Sequence, residues 1–421
     1  MLNYMLSPDT QAILLLCASF GQNRQTEPQP LTLSEYNAVA SWLDENDMFP
    51  QDLLDQTVKN WLSRITIGKL NSERLVALLE RGFMLSLAVE KWTNQGLWIL
   101  GRGDAQYPKS LKQKLRYSAP AILYGVGNIE LLSSGGLAVV GSRDIDEEGI
   151  SYTQRVVQTC AEEGINVISG GARGVDQASM LGVLANGGTS VGVLADSLSK
   201  VAVAGKYRAA IKEGRLTLIS PYDPHAAFSA GNAMGRNKYI YALADNALVV
   251  SCLVGKGGTW AGATEALEKI KDVPIFVRLW KNAAAGNREL LKKGAKPFPE
   301  EPWQNLFNIL FALANSQLES RNYQGESRKF QEIYESTNES IEVNKSFTKD
   351  IYDAVLPFIL KQLDQPKDAK SLAESLDVRK VQMEDWLSKA VKEGRVTKTK
   401  NPVAYVANQK PVLLSLLAKE S

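Results

Sequence analysis

The sequence predicts an α/β protein built on a doubly wound, mostly parallel sheet. A helical segment precedes the sheet and a small helix-and-hairpin module follows it. Three observations predict this. Between Leu137 and Val277, short apolar runs alternate with stretches of helical periodicity. Glycine clusters fall after the first two runs and before the helices that follow them. Outside this region the apolar spacing is helical on the N-terminal side. On the C-terminal side it changes to helix, helix-turn-helix and two short β runs.

Leu137–Ala178 sets the pattern. Leu137 to Val140 reads as a strand, and Gly141-Ser142-Arg143 turns out of it. A helix with Tyr152, Val156, Val157 and Cys160 on one face follows and stops at Gly164. Ile165 to Ile168 is the next apolar run, and Ser169-Gly170-Gly171-Ala172-Arg173-Gly174 turns out of that one. Further strands are expected at Leu97–Leu100, Ala121–Tyr124, Ser190–Leu194, Thr217–Ile219, Ala247–Val250 and Ile275–Val277. Helices are expected at Gly149–Glu163, Asp176–Ala185, Gly205–Lys212, Lys238–Ala244 and Trp260–Lys269. This is the Rossmann-like order, in which turns meet at the carboxyl edge of the strands and ligands bind there.

The flanks fill out the organisation. Residues 1–100 read as a helical domain. Ile67-Gly68-Lys69-Leu70 resembles the glycine turn of a helix-hairpin or SAM-like module, which either touches a nucleic-acid backbone or packs as a cap. Residues 101–318 form the core domain, and Trp280 to Glu301, rich in Ala, Gly, Lys and Pro, reads as leaving its sheet. Residues 319–345 are polar and read as a linker. Residues 346–421 read as a winged helix, with Val381, Trp386, Leu387 and Val391 turned inward. Winged helices bind duplex DNA or protein, and both readings stand.

Composition narrows the chemistry. The chain has 421 residues, 44% of them hydrophobic and 22% charged, with a net charge of +2. Nucleic-acid binding would therefore rest on a local basic surface. The three cysteines lie far apart and read as buried thiols of a reducing, cytoplasmic compartment. A single histidine, His225, argues against a histidine metal site and a Ser-His-Asp triad. No metal or cofactor is expected, and no membrane span.

Neither glycine turn is a Walker loop or a dinucleotide fingerprint. Each carries an arginine, Arg143 or Arg173, suited to bidentate phosphate contact. The alternative is that the glycines only make tight turns.

From Tyr107 onward the sequence resembles the DNA-processing protein A family, also called Smf. The matching blocks are Tyr107-Pro108, Pro120 to Gly125 with Gly127, Val139 to Arg143, Ser169 to Asp176, Gly188 to Leu194, Gly235 to Lys238, and Gly257-Gly258-Thr259. The resemblance implies a non-catalytic single-stranded-DNA-binding protein of natural transformation. It would act as a homodimer that protects incoming DNA and helps load the RecA recombinase. The residues carried into that role are Gly141, Ser142, Arg143, Ser169, Gly170, Gly171, Arg173 and Gly174, then Arg236, Asn237, Lys238, Gly257, Gly258 and Thr259. Asp176 is expected to orient an arginine or cap its helix, because a carboxylate repels phosphate. Trp260 is singled out for base stacking, whereas most other aromatics near the turns are expected in the core.

The sequence departs from the family pattern. Met180 stands where a histidine is usual, Ser220-Pro221 where Ser-Glu is usual, Ser251 where a glutamate is usual, and Lys238 where an arginine is usual. Two other classes stay open on this fold. One is a nucleoside-monophosphate phosphoribohydrolase using Glu265. The other is a nucleotide-binding sensor.

Overall fold

The computed structural model describes residues 6–20, 28–62, 67, 70–279, 283–320, 351–363, 365–376, 378, 380–399 and 403–408. The chain divides into two compact units, Met1–Ser320 and Arg321–Ser421. Most of the 319–345 segment read as a linker lies outside the described residues, as do Gly68 and Lys69 of the N-terminal glycine turn.

The first unit opens with five helices: α1 (Pro8–Cys17), α2 (Leu33–Glu45), α3 (Gln56–Leu62), α4 (Ser72–Leu79) and α5 (Gly82–Asn94). Side chains fix several of their starts. Ser7 caps α1, Asn71 caps α4, and Thr32 with Glu35 forms a reciprocal capping box on α2. Then come β1 (Trp98–Gly101), α6 (Lys109–Leu115), β2 (Ile122–Gly127), β3 (Leu137–Val140), α7 (Glu147–Glu162), β4 (Val167–Ser169) and α8 (Val175–Ala185). The unit continues with β5 (Ser190–Val193), α9 (Leu198–Ala202), α10 (Gly205–Lys212), β6 (Leu216–Ser220), α11 (Ala230–Leu243) and β7 (Asn246–Val249). It ends with α12 (Gly257–Lys269), β8 (Ile275–Val277), α13 (Ala285–Lys292), β9 (Lys296–Pro297) and α14 (Leu306–Ser320).

The nine strands form one sheet in the order β1-β2-β6-β5-β4-β3-β7-β8-β9. β1–β2 and β2–β6 pair antiparallel, and the remaining neighbours pair parallel. From β3 the chain builds outward through β4, β5 and β6. It then crosses back to place β7 and β8 on the other side of β3. The strand order reverses between β3 and β7, which is where a doubly wound sheet opens a crevice at its carboxyl edge.

Alternation along the strands makes two cores. β3 sends Leu137 and Val139 to one face and Ala138 and Val140 to the other. The first face also receives Leu14 and Leu16 of α1, Tyr36 of α2 and Leu78 of α4, so the N-terminal helices share a core with the sheet. Trp92 of α5 meets Tyr124 of β2 edge to face at 5.1 Å. Asp104 ties the turn after β1 to α1, accepting from Ser7 Oγ at 2.6 Å and Thr10 Oγ1 at 2.7 Å. The segment 280–301 corrects the sequence reading. Its described part, 283–301, does not leave the core: Leu290 of α13 is buried, and β9 pairs with β8 as an edge strand that tolerates Pro297.

Two helices that carry site residues, α11 and α12, begin well before their periodicity suggests. α11 starts at Ala230, eight residues before Lys238, because Ser229 Oγ accepts from Asn232 N at 3.2 Å. α12 starts at Gly257, so Gly257-Gly258-Thr259 forms the first turn of a helix.

In the second unit, helices Ile351–Gln362, Ala369–Ser375 and Lys380–Lys392 precede an antiparallel pair, Val396–Lys398 with Tyr405–Ala407. Its core holds Tyr352, Ile359, Leu372, Met383, Leu387 and Val396. Val381 is exposed, against expectation. Met383, Leu387 and Ala390 set the inward stripe of the last helix, and Val381 falls off it.

Candidate phosphate-binding cleft

A cleft of about 600 Å³ lies at the strand-order reversal, between the turn after β3 and the start of α12. Gly141, Ser142 and Arg143 form one wall, and Gly257, Gly258, Thr259 and Trp260 form the opposite one. Arg236 and Asn237 of α11 reach it from a third side. Eight of the fourteen residues carried from the sequence thus come together. Short bonds hold the walls. Thr259 Oγ1 donates to Gly141 O at 2.9 Å, Asn237 Nδ2 donates to Gly258 O at 2.9 Å, and Ser142 N donates to Ser251 O at 2.9 Å.

The other six lie elsewhere. Ser169 is fully buried, its hydroxyl donating to Val139 O at 2.6 Å inside the sheet. Gly170 lies beneath Arg236. A Cβ there would come within 1.7 Å of Arg236 Nη1, so only glycine lets the guanidinium pass. Gly171 and Gly174 have φ of +68° and +87°, and a Cβ on Gly174 would meet Ser142 O at 2.3 Å. These two glycines shape the turn after β4 and do not line the cleft. Arg173 is exposed, off the cleft wall, and pairs with Asp144. Lys238 faces away from the cleft, half-buried near Tyr239. Burial lowers its pKa, and Glu265 opposes that shift.

Arg236 is the best-defined cation of the site. It is only 4% exposed, and its Nη1 donates to Val193 O at 2.7 Å. Its Nε is buried with no hydrogen-bond partner. Asp176, 7% exposed, lies beside it over Gly170 and is the only carboxylate on the cleft wall among the described residues. Burial raises Asp176 to a pKa of about 6. Arg236 and the peptide N–H groups of Gly141, Ala172 and Gly170 act against that rise.

The helix N-termini at this edge are not equivalent. α7 is capped by Asp146, which accepts from Gly149 N at 2.8 Å, and has Glu147 and Glu148 in its first turn. α12 has no side-chain cap and no acid in its first turn, and Lys256 precedes it. Its open N–H groups and positive dipole end face the cleft. Lys256 was missed in the sequence, where its signal was a cation set between Gly255 and Gly257. Also missed were Met234 and Leu253, apolar rim residues with no pattern to mark them.

The rim is apolar. Phe228 is 57% exposed and Leu253 63% exposed, with the Arg143 guanidinium 5.5 Å from the Phe228 ring centre. Trp260 is half-buried on the wall, while Tyr152, Tyr207, Tyr239 and Tyr241 are core residues, as expected. His225 is an exposed loop residue. Glu265 does not line the cleft and pairs with Lys269 at 3.1 Å. Met180, in the family's histidine place, is fully buried against Gly171 and Gly192.

The family model for DNA recombination-mediator protein A matches residues 98–308, from β1 into α14. The chain belongs to this family. It is 30% identical over 279 residues to protein Smf of Escherichia coli strain K12, an alignment covering 65% of this chain and 71% of that protein. It is 29% identical over 195 residues to DNA processing protein DprA of Streptococcus pneumoniae, covering 46% of this chain and 68% of that protein. The crystal structure of DprA from Streptococcus pneumoniae superposes with a TM-score of 0.52 at 21% identity, covering 69% of this chain and 94% of that one, and shows the same fold. Among the described residues no helix is long and apolar enough to cross a membrane.

Proposed function

We propose that the cleft holds the backbone of single-stranded DNA and that the chain mediates recombination by presenting that strand. The observation that carries this is the cleft itself, which combines an uncapped helix N-terminus, three cations and an exposed aromatic rim. The cations are Arg143, Arg236 and Lys256. Anion binding at the floor and base stacking at the rim are the two requirements of single-strand recognition. A duplex keeps its bases stacked on one another and leaves Phe228 without a partner. Glu265 stands off the cleft, which disfavours the phosphoribohydrolase reading.

Family membership extends the proposal. The chain would act without catalysis, in the cytoplasm and as a homodimer, protecting incoming DNA in transformation and helping to load the RecA recombinase. We read the 1–100 helices as a helical domain on the 101–318 core, and 346–421 as a winged helix beyond a 319–345 linker. Three helices followed by an antiparallel strand pair support the last reading.

The test is a titration of full-length protein with oligo-dT, a duplex of equal length and thymidine monophosphate. Oligo-dT should bind tightest, and Phe228→Ala should weaken it by about 1–3 kcal/mol. A mononucleotide that binds as tightly as the oligonucleotide would turn the proposal into a nucleotide sensor.

A further inference from the structure

The buried pair under the cleft does more than fill space. Arg236 and Asp176 come from different elements, α11 and α8, and both crowd the place over Gly170 where a side chain would stand. Arg236 keeps one buried donor, Nε, without a partner, although its other end bonds to Val193 O. A buried donor left open at the wall of a cleft is a place for an anion to complete. Asp176, on the same wall, opposes that anion whenever it is ionised.

We propose that Asp176 is a positioning residue that tunes anion binding through Arg236, so that the cleft binds its strand more tightly when Asp176 takes up a proton. This rests on the single-strand reading of the same site. Protonation removes the negative charge below the phosphate, so the charge of Arg236 acts on it unopposed. The pKa of about 6 puts the change in a range the protein can be assayed in. The direction is fixed: affinity rises as pH falls through that value.

Other groups near the pair come from every element packed on it. Arg143 lies in the turn after β3, and Asp196 and Tyr222 lie in the loops after β5 and β6. Tyr241 is on α11, and burial holds both tyrosines neutral. Arginine keeps its charge throughout. Asp196 and the loop residue His225 are therefore the controls.

The experiment measures oligo-dT affinity of full-length protein from about pH 5 to about pH 8, at constant ionic strength, for wild type, D176N, D196N and H225Q. Sulfate, fully ionised across this range, is titrated in parallel, and melting curves are taken at each pH. Wild type should lose about tenfold in affinity across the range, the scale of one buried charge acting through protein. D176N should be flat and near the acid-limb affinity, while D196N and H225Q keep the wild-type slope. A D176N slope equal to wild type overturns the proposal. So does a flat wild-type profile, which is readable even when D176N does not fold. A sulfate slope that D176N removes, without oligo-dT binding at any pH, supports the pair and sinks the DNA reading instead.

Discussion

Two helix N-termini stand on either side of the strand-order reversal, and they differ in what they can hold. α7 follows β3 and the Gly141-Ser142-Arg143 turn, the position where a doubly wound fold commonly seats a phosphate. Here its donors meet Asp146, Glu147 and Glu148. α12 follows β7, and its first turn is Gly257-Gly258-Thr259 with Lys256 before it. The fold offers two similar dipole ends, and the side chains close one of them. Backbone geometry therefore nominates anion sites, and local charge selects among them.

The largest effect is expected at the floor shared by both sides. Arg236→Ala should cost about 3 kcal/mol of stability in urea unfolding, because it leaves Asp176 buried without its counter-charge. It should also abolish oligo-dT binding. Full stability in that variant would show that the pair is not buried as described.

Next is the pH dependence of stability. Asp176 has a folded pKa of about 6, above its unfolded value. Its contribution is therefore fully present below the unfolded pKa, near pH 4, and is lost as pH rises through 6. The loss amounts to at most about 3 kcal/mol. Denaturant unfolding at about pH 4.5 and about pH 7.5 should show Asp176→Asn gaining on wild type between the two. Parallel profiles would remove Asp176 as the responsible group.

Smaller effects separate the two turns. Arg143→Ala and Lys256→Ala should each flatten the log-log salt slope of oligo-dT binding by about 0.7. Arg173→Ala should leave it unchanged, since Arg173 faces Asp144 off the cleft. Equal slopes for Arg143 and Arg173 would move the strand onto the turn after β4. The smallest change is expected from Glu147→Gln at the closed terminus. It should improve affinity by less than about 1 kcal/mol, and only at low salt. A gain as large as the Arg143 loss would mean that α7, not α12, holds the phosphate.

Strand placement was legible because a strand buried on both faces reads as a short unbroken apolar run, and Leu137 to Val140 shows it whatever its neighbours. The glycine turns were legible as turns for the same local reason. The starts of α11 and α12 were not. Periodicity begins only where side chains pack, whereas a helix begins where its donors are capped or left to solvent. Ser229 and Gly257 are weak signals of either. Arg236 and Asn237 therefore read as turn residues although they lie within a helix.

The sequence alone determined that a parallel sheet would place Gly141 to Arg143 and Gly257 to Thr259 at one edge. It also pointed Asp176 away from phosphate, toward an arginine or the cap of its own helix. Long-range packing set which arginine stands beside it. It put Arg236 over Gly170, sent Arg173 outward to Asp144, and turned the hydroxyl of Ser169 into the sheet. The physical reason is that a turn's residue types fix its backbone shape locally. The direction each side chain takes depends on which distant element leaves it room, a bare Gly170 for Arg236 and the Val139 carbonyl for Ser169.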